Sequence, residues 1–97
     1  MLELNAKQRA FLKTHAHDLE PKLQIGKNGV SETFVKELDV ALERDEVVKL
    51  KVGKFVEGDP AADAAAKTRA ALVARLGRTV LLYRPSKEPK IELPEGD

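Results

Sequence analysis

The stretch Val47-Val-Lys-Leu-Lys-Val52 constrains the fold more than any other part of the chain. Val48, Leu50 and Val52 point one way, and Lys49 and Lys51 point the other. A strand repeats its side-chain direction every two residues, so this pattern gives one apolar face and one face carrying ammonium groups. Strands of a sheet covered on both faces read instead as unbroken apolar runs. The expectation is a sheet with helices packed on one side and water on the other.

Breakers divide the rest of the chain. Asn5 is a helix cap with Gln8 three residues on, and Leu4, Phe11, Leu12, Ala16 and Leu19 recur at helical spacing, so a first helix is expected over about 5–19 before Pro21. Lys22-Leu-Gln-Ile-Gly26 alternates and reads as a short strand. Ser31 caps a second helix with Phe34, Val35, Leu38, Ala41 and Leu42 on its apolar stripe and an acidic opposite side. Gly53 to Pro60 is a loop, and Pro60 opens a third helix that runs to about Ala70. Thr79-Val-Leu-Leu-Tyr-Arg84 is a strand that stops at Pro85. The tail, 88–97, has breakers at Pro89, Pro94 and Gly96 and is expected to be loosely ordered, adding at most an edge pairing around Ile91 and Leu93. Strands alternating with helices imply crossovers and a largely parallel sheet.

Ala71 to Leu76 reads two ways. Its alanine and leucine content extends the third helix to Gly77, or Leu72–Leu76 pairs with Thr79–Arg84 across a tight Gly77-Arg78 turn. Propensity favours the helix.

Several kinds of chemistry are poorly provided for. The chain has no cysteine, so it lacks a disulfide framework and thiolate metal sites. His15 and His17 lie two apart on a helix and cannot share a face. Neither Ser31 nor Ser86 stands in a nucleophile setting, and the carboxylates lie on helix surfaces, so an enzyme is not expected. In 97 residues the longest apolar runs fall far short of the roughly 20 needed to span a bilayer, and Met1 to Lys7 has no signal-peptide pattern; a soluble cytoplasmic protein is expected. With 17 basic and 16 acidic residues, attraction to a polyanion has to come from local clustering.

Such a cluster begins at Gly26-Lys-Asn-Gly29, which follows a strand and opens a helix. Two glycines leave the backbone uncovered, so a phosphodiester can approach the N–H groups. The helix behind them turns its positive dipole end to the same point. Lys27 adds a mobile cation and Asn28 amide donors. The loop is too short to wrap a nucleoside triphosphate and suits one or two phosphates of a polymer. Lys49 and Lys51 project from the uncovered sheet face, and Arg84, Lys87 and Lys90 follow the last strand. The only aromatics are Phe11, Phe34, Phe55 and Tyr83, which favours recognition of backbone and shape over stacking on bases.

The combination of Leu4-Asn-Ala-Lys-Gln-Arg-Ala-Phe-Leu12, Ala16-His17, Ile25-Gly-Lys-Asn-Gly-Val30 and Gly77-Arg-Thr-Val-Leu-Leu-Tyr-Arg-Pro-Ser-Lys87 resembles the CRM domain (chloroplast RNA splicing and ribosome maturation), and within it the free-standing bacterial YhbY-like proteins. The resemblance spans roughly Leu4 to Leu93. It implies a single two-layer α/β domain over 1–97, with a mixed four-stranded sheet and helices on one face, similar to the C-terminal domain of translation initiation factor three. It also implies the Leu72–Leu76 hairpin, and RNA binding through a Gly-x-x-Gly loop likened to that of KH domains. The partner implied is rRNA in precursors of the large ribosomal subunit, bound by a monomer without cofactor or membrane. The RNA-binding residues expected are Gly26, Lys27, Asn28, Gly29, Lys49, Lys51, Arg84 and Lys87. The alternative is a protein–protein adaptor whose acidic second helix docks a basic ribosomal protein.

Overall fold

The computed structural model describes residues 3–95, so Gly96 lies outside the described residues. Seven elements follow one another: α1 (Ala6–His15), β1 (Leu23–Ile25), α2 (Glu32–Asp45), β2 (Val47–Val52), α3 (Pro60–Thr68), β3 (Ala71–Leu76) and β4 (Thr79–Tyr83).

Local chemistry sets the helix ends. Asn5 Oδ1 accepts from the Gln8 amide at 2.8 Å while Gln8 Oε1 accepts from the Asn5 amide at 3.1 Å, a complete capping box. The helix it opens is shorter than the sequence pattern, ending at His15 with Ala16 as its cap. Asp18 and Glu20 would lie at the negative end of the dipole had it continued. At the end of α3, Arg69 takes φ +60°, the Ala70 amide reaches back to Ala65 O at 2.9 Å, and the Arg69 amide to Ala66 O at 3.3 Å. This Schellman-type turn stops the helix before Ala71, so the hairpin and not the longer helix is what forms. Gly77, with φ +64°, is the first central residue of the two-residue turn, where such tight hairpins need a positive angle.

The sheet order is β1-β2-β4-β3. β1 pairs parallel with β2, Ile25 opposite Val52; β4 runs antiparallel to both β2 and β3. Strands β1, β2 and β3 point the same way, as helical crossovers require, but β4 folds back and inserts between β2 and β3. The largely parallel sheet expected from the alternation of elements is therefore a mixed one.

Helices α2 and α3 cover one face. Ile25, Val48, Leu50, Val80 and Leu82 meet Phe34, Leu38 and Leu42 of α2 and Ala61, Ala64 and Ala65 of α3, whose small side chains let the helix lie close. The opposite face, expected to be open, is partly covered. Leu12 of α1 and its cap residue Ala16 pack with Val47, Val73, Leu81 and Tyr83, joined by Leu19, Ile91 and Leu93. Register explains it: the residues that share a face with Lys49 and Lys51 include Val47, Leu81 and Tyr83. Arg9 fastens α1 by donating to the carbonyls of Leu72 and Val73, at the bulge in β3.

Among the described residues the tail forms no strand, yet Ser86, Lys90 and Ile91 are held by one carboxylate. Glu46, fully buried with φ +66°, is the only residue between α2 and β2. Its Oε2 accepts from the Ser86 amide (2.9 Å) and hydroxyl (3.2 Å), and its Oε1 from the amides of Lys90 (2.8 Å) and Ile91 (3.0 Å). Burial opposes ionisation, but these four donors together outweigh it and hold the carboxyl below its ordinary value.

Candidate nucleic-acid interface

The parallel pairing of β1 with β2 places two turns side by side. Ile25 lies opposite Val52, so Gly26-Lys-Asn-Gly29 and Gly53-Lys-Phe-Val56 leave the sheet in step. The first turn closes with the Gly29 amide on Gly26 O at 2.9 Å, the second with the Val56 amide on Gly53 O at 3.4 Å. The Gly53 amide donates to Ile25 O at 2.8 Å and ties one turn to the other. Each turn carries a lysine at its second position, Lys27 and Lys54, both exposed.

The glycines do different work. Gly29 has φ +69°, which a side chain makes unfavourable. Gly53 is packed so closely that a Cβ would lie 3.0 Å from Ile25 O. Gly26 has neither constraint: its φ is ordinary and a Cβ there would meet nothing within 4 Å. The fold tolerates a side chain at position 26, yet the sequence leaves the backbone bare where it faces solvent.

Behind the first turn, Ser31 Oγ accepts from the Phe34 amide at 3.1 Å and caps α2. The amides of Glu32 and Thr33 have no partner within a helix by construction. A shallow hollow of about 260 Å³ lies here, bordered by Gln24, Lys27, Asn28, Ser31, Thr33 and Glu37. Lys67 on α3 donates to Val30 O at 3.3 Å and pairs with Asp63 at 3.2 Å, bringing another cation close to the end of the loop. Glu32 and Glu37 oppose an anion, so the hollow is not uniformly positive.

The other expected residues divide by position. Lys51 is exposed on the α1 side of the sheet, opposite Gln24 on one neighbour and Thr79 on the other, close to the two turns. Lys49 lies one residue pair further in, and its Nζ donates to Leu19 O at 2.7 Å, so its ammonium is drawn toward the segment after α1. Arg84 and Lys87 follow the Tyr83 end of β4, which pairs with Val47, whereas the turns lie at the Val52 end. Four to five residues of strand separate them, about 15 Å. The guanidinium of Arg84 binds Asp39 Oδ1 at 2.8 Å, Thr68 O at 2.8 Å and Asp39 O at 3.2 Å, bracing α2 against the end of α3. The Lys87 amide donates to Glu43 Oε1 at 2.9 Å and its side chain is exposed.

Three exposed residues at the turn end stand outside the sequence expectation: Lys54, Phe55 and Arg78. Arg78 is in the β3–β4 turn, and its carbonyl accepts from the Val52 amide at 2.7 Å. The signal for Lys54 and Phe55 was the second glycine-lysine pair, Gly53-Lys54, one strand over from the first. Arg75 is also at this end but is forked onto Asp59 at 2.8 and 2.9 Å; that hydrogen bond, with the Ala62 amide, holds the Asp59 carboxyl below its usual value.

Fold and loop define a class: a small α/β domain that presents two lysine-bearing turns at one end of a mixed sheet, one of them a bare Gly-x-x-Gly leading into a helix. The chain belongs to the CRS1 / YhbY (CRM) domain family, whose model matches residues 4–84. It is 43% identical over 95 residues to "Probable RNA-binding protein YqeI" of Bacillus subtilis, covering 94% of this chain and 99% of that one. It is 38% identical to an "RNA-binding protein" of Haemophilus influenzae, with 97% and 98% covered. The solution structure of Staphylococcus aureus SAV1595 superposes with a TM-score of 0.74 at 36% identity, over 95% of this chain and all of that one.

Proposed function

We propose that the chain is a non-catalytic RNA-binding protein that contacts rRNA in precursors of the large ribosomal subunit. Backbone phosphate is held at Gly26–Gly29 and the first amides of α2, and Lys27, Lys54 and Lys51 continue the contact along the strand ends. One observation carries this reading: Gly26 is bare without a structural need to be. A ligand that must reach the backbone N–H groups supplies the need. Curated relatives named as RNA-binding proteins support the ligand class. The family resemblance supports the ribosomal precursor.

Arg84 and Lys87 fall outside this contact, because one braces helices and both lie at the far end of the sheet. Lys49 joins it only by releasing Leu19 O.

The test is binding of the chain to protein-free large-subunit rRNA fragments over a range of salt. Three lysine–phosphate contacts predict a slope of log Kobs against log salt of roughly −2 on single-stranded RNA, at about 0.7 per contact. No affinity for protein-free RNA, together with binding to a basic ribosomal protein, would replace this reading with the adaptor.

A further inference from the structure

We propose that Phe55 is a base-stacking residue: an unpaired nucleobase lies on its ring while the phosphate beside that nucleotide is held at the neighbouring Gly26–Gly29 turn. The inference rests on the RNA reading above and narrows its ligand from RNA in general to an unpaired strand or bulge.

Phe55 is 86% exposed, more than Val40 (65%), Leu76 (57%) or Phe11 (38%), the other large apolar side chains left in water among the described residues. The remaining aromatics offer a base less. Phe34 and Tyr83 are buried, and Phe11 is half covered with its ring stacked on His15, centroids 6.4 Å apart. Nor is Phe55 loose on a long loop. Its turn is fastened on one side by the Gly53 amide on Ile25 O, and on the other by Val56, which packs against the core under α2 and α3. With both ends tied, the turn displays the ring outward at a fixed place beside Gly26; a Cβ on Gly53 would lie 3.9 Å from the Gly26 Cα.

The surroundings select the occupant. Lys54 is adjacent in sequence, Lys27 is at the same position of the twin turn, and Arg78 lies against the end of β2. A ring amid cations suits a ligand with an apolar face and a phosphate, which is a nucleotide. A paired base offers no free face, since the groove of an A-form duplex shows only base edges; an unpaired base does. Stacking of this kind is tolerant of sequence, because every base has a π-face.

The experiment measures affinity of the full chain, at fixed salt, for an unstructured single-stranded RNA and for a perfect duplex of equal length. Wild type, Phe55→Ala, Phe55→Trp and the Lys27→Asp/Asn28→Asp double variant are compared. Phe55→Ala should lose about tenfold on the single strand and under about twofold on the duplex, with an unchanged salt slope, since stacking releases no counterions. Phe55→Trp should keep the affinity, and because the chain has no other tryptophan, its emission should be quenched as single-stranded RNA is added. Phe55→Ala binding like wild type, or weakening equally on both RNAs, would overturn the stacking role. If the double variant weakens binding while Phe55→Ala does not, stacking fails and phosphate capture stands. If wild type binds neither RNA, the RNA reading fails and stacking with it. Phe55→Trp emission that responds to lipid vesicles but not to RNA would assign the ring to another partner.

Discussion

Replacing Glu46 by Gln isolates what one buried carboxylate does for the fold. The backbone at this residue is strained in both variants alike, so the φ of +66° cancels from the comparison. What changes is the pairing. The carboxylate accepts four hydrogen bonds, two on each oxygen. The Gln amide keeps one oxygen, and its NH2 group then faces two donors. Each stranded buried donor costs about 1–3 kcal/mol. Relaxation limits the sum, because residues 86–91 can peel into water at the expense of the partly buried Ile91 and Leu93. The expected loss is about 2–4 kcal/mol, read as a lowered urea midpoint together with faster hydrogen exchange at the Lys90 and Ile91 amides. The acid limb supplies an independent check. The folded carboxyl lies below its ordinary value, so its contribution is complete above the unfolded value and is lost as pH falls through the folded one. Glu46→Gln should flatten that part of the stability profile. A variant within about 0.5 kcal/mol of wild type, with unchanged exchange at both amides, would refute the role given to Glu46.

Other perturbations separate fold from binding. Arg84→Ala removes the brace between α2 and α3 and should destabilise by about 1–3 kcal/mol in urea, while leaving RNA affinity within about twofold. Gly29→Ala forces a side chain onto φ +69° and should lower stability by about 1–2 kcal/mol. Gly26→Ala should leave stability within about 0.5 kcal/mol yet weaken RNA binding, a split visible by comparing melting with titration.

Much of this architecture was legible in residue patterns, and the misses have identifiable causes. Caps at Asn5 and Ser31 and the strand Val47–Val52 depend on neighbours in sequence and came out as expected. The place of β4 does not: insertion between β2 and β3 is a long-range choice that alternation of elements leaves open. The covered second face had a local sign that the lysines masked, since Val80-Leu-Leu-Tyr83 is an unbroken apolar run of the kind found in strands buried on both faces. Glu46 gave no sign at all, because one acid in an acidic helix end looks like any other until the tail returns to it. The Gly26–Gly29 turn was visible as a motif, but its partnership with Gly53–Val56 required the register of β1 on β2. Phe55 then gained weight from where it is held, not from its identity.

The most direct test of phosphate capture is the Lys27→Asp/Asn28→Asp double variant, titrated with a large-subunit rRNA fragment at one salt concentration. Both side chains are exposed and both glycines remain, and acids near the start of α2 are mildly stabilising, so the melting temperature should stay within about 4 °C of wild type. Two acids then meet phosphate where a cation and an amide had been. Affinity should fall at least about tenfold, on the order of 1.4 kcal/mol. A folded double variant that binds this RNA as tightly as wild type would contradict the account.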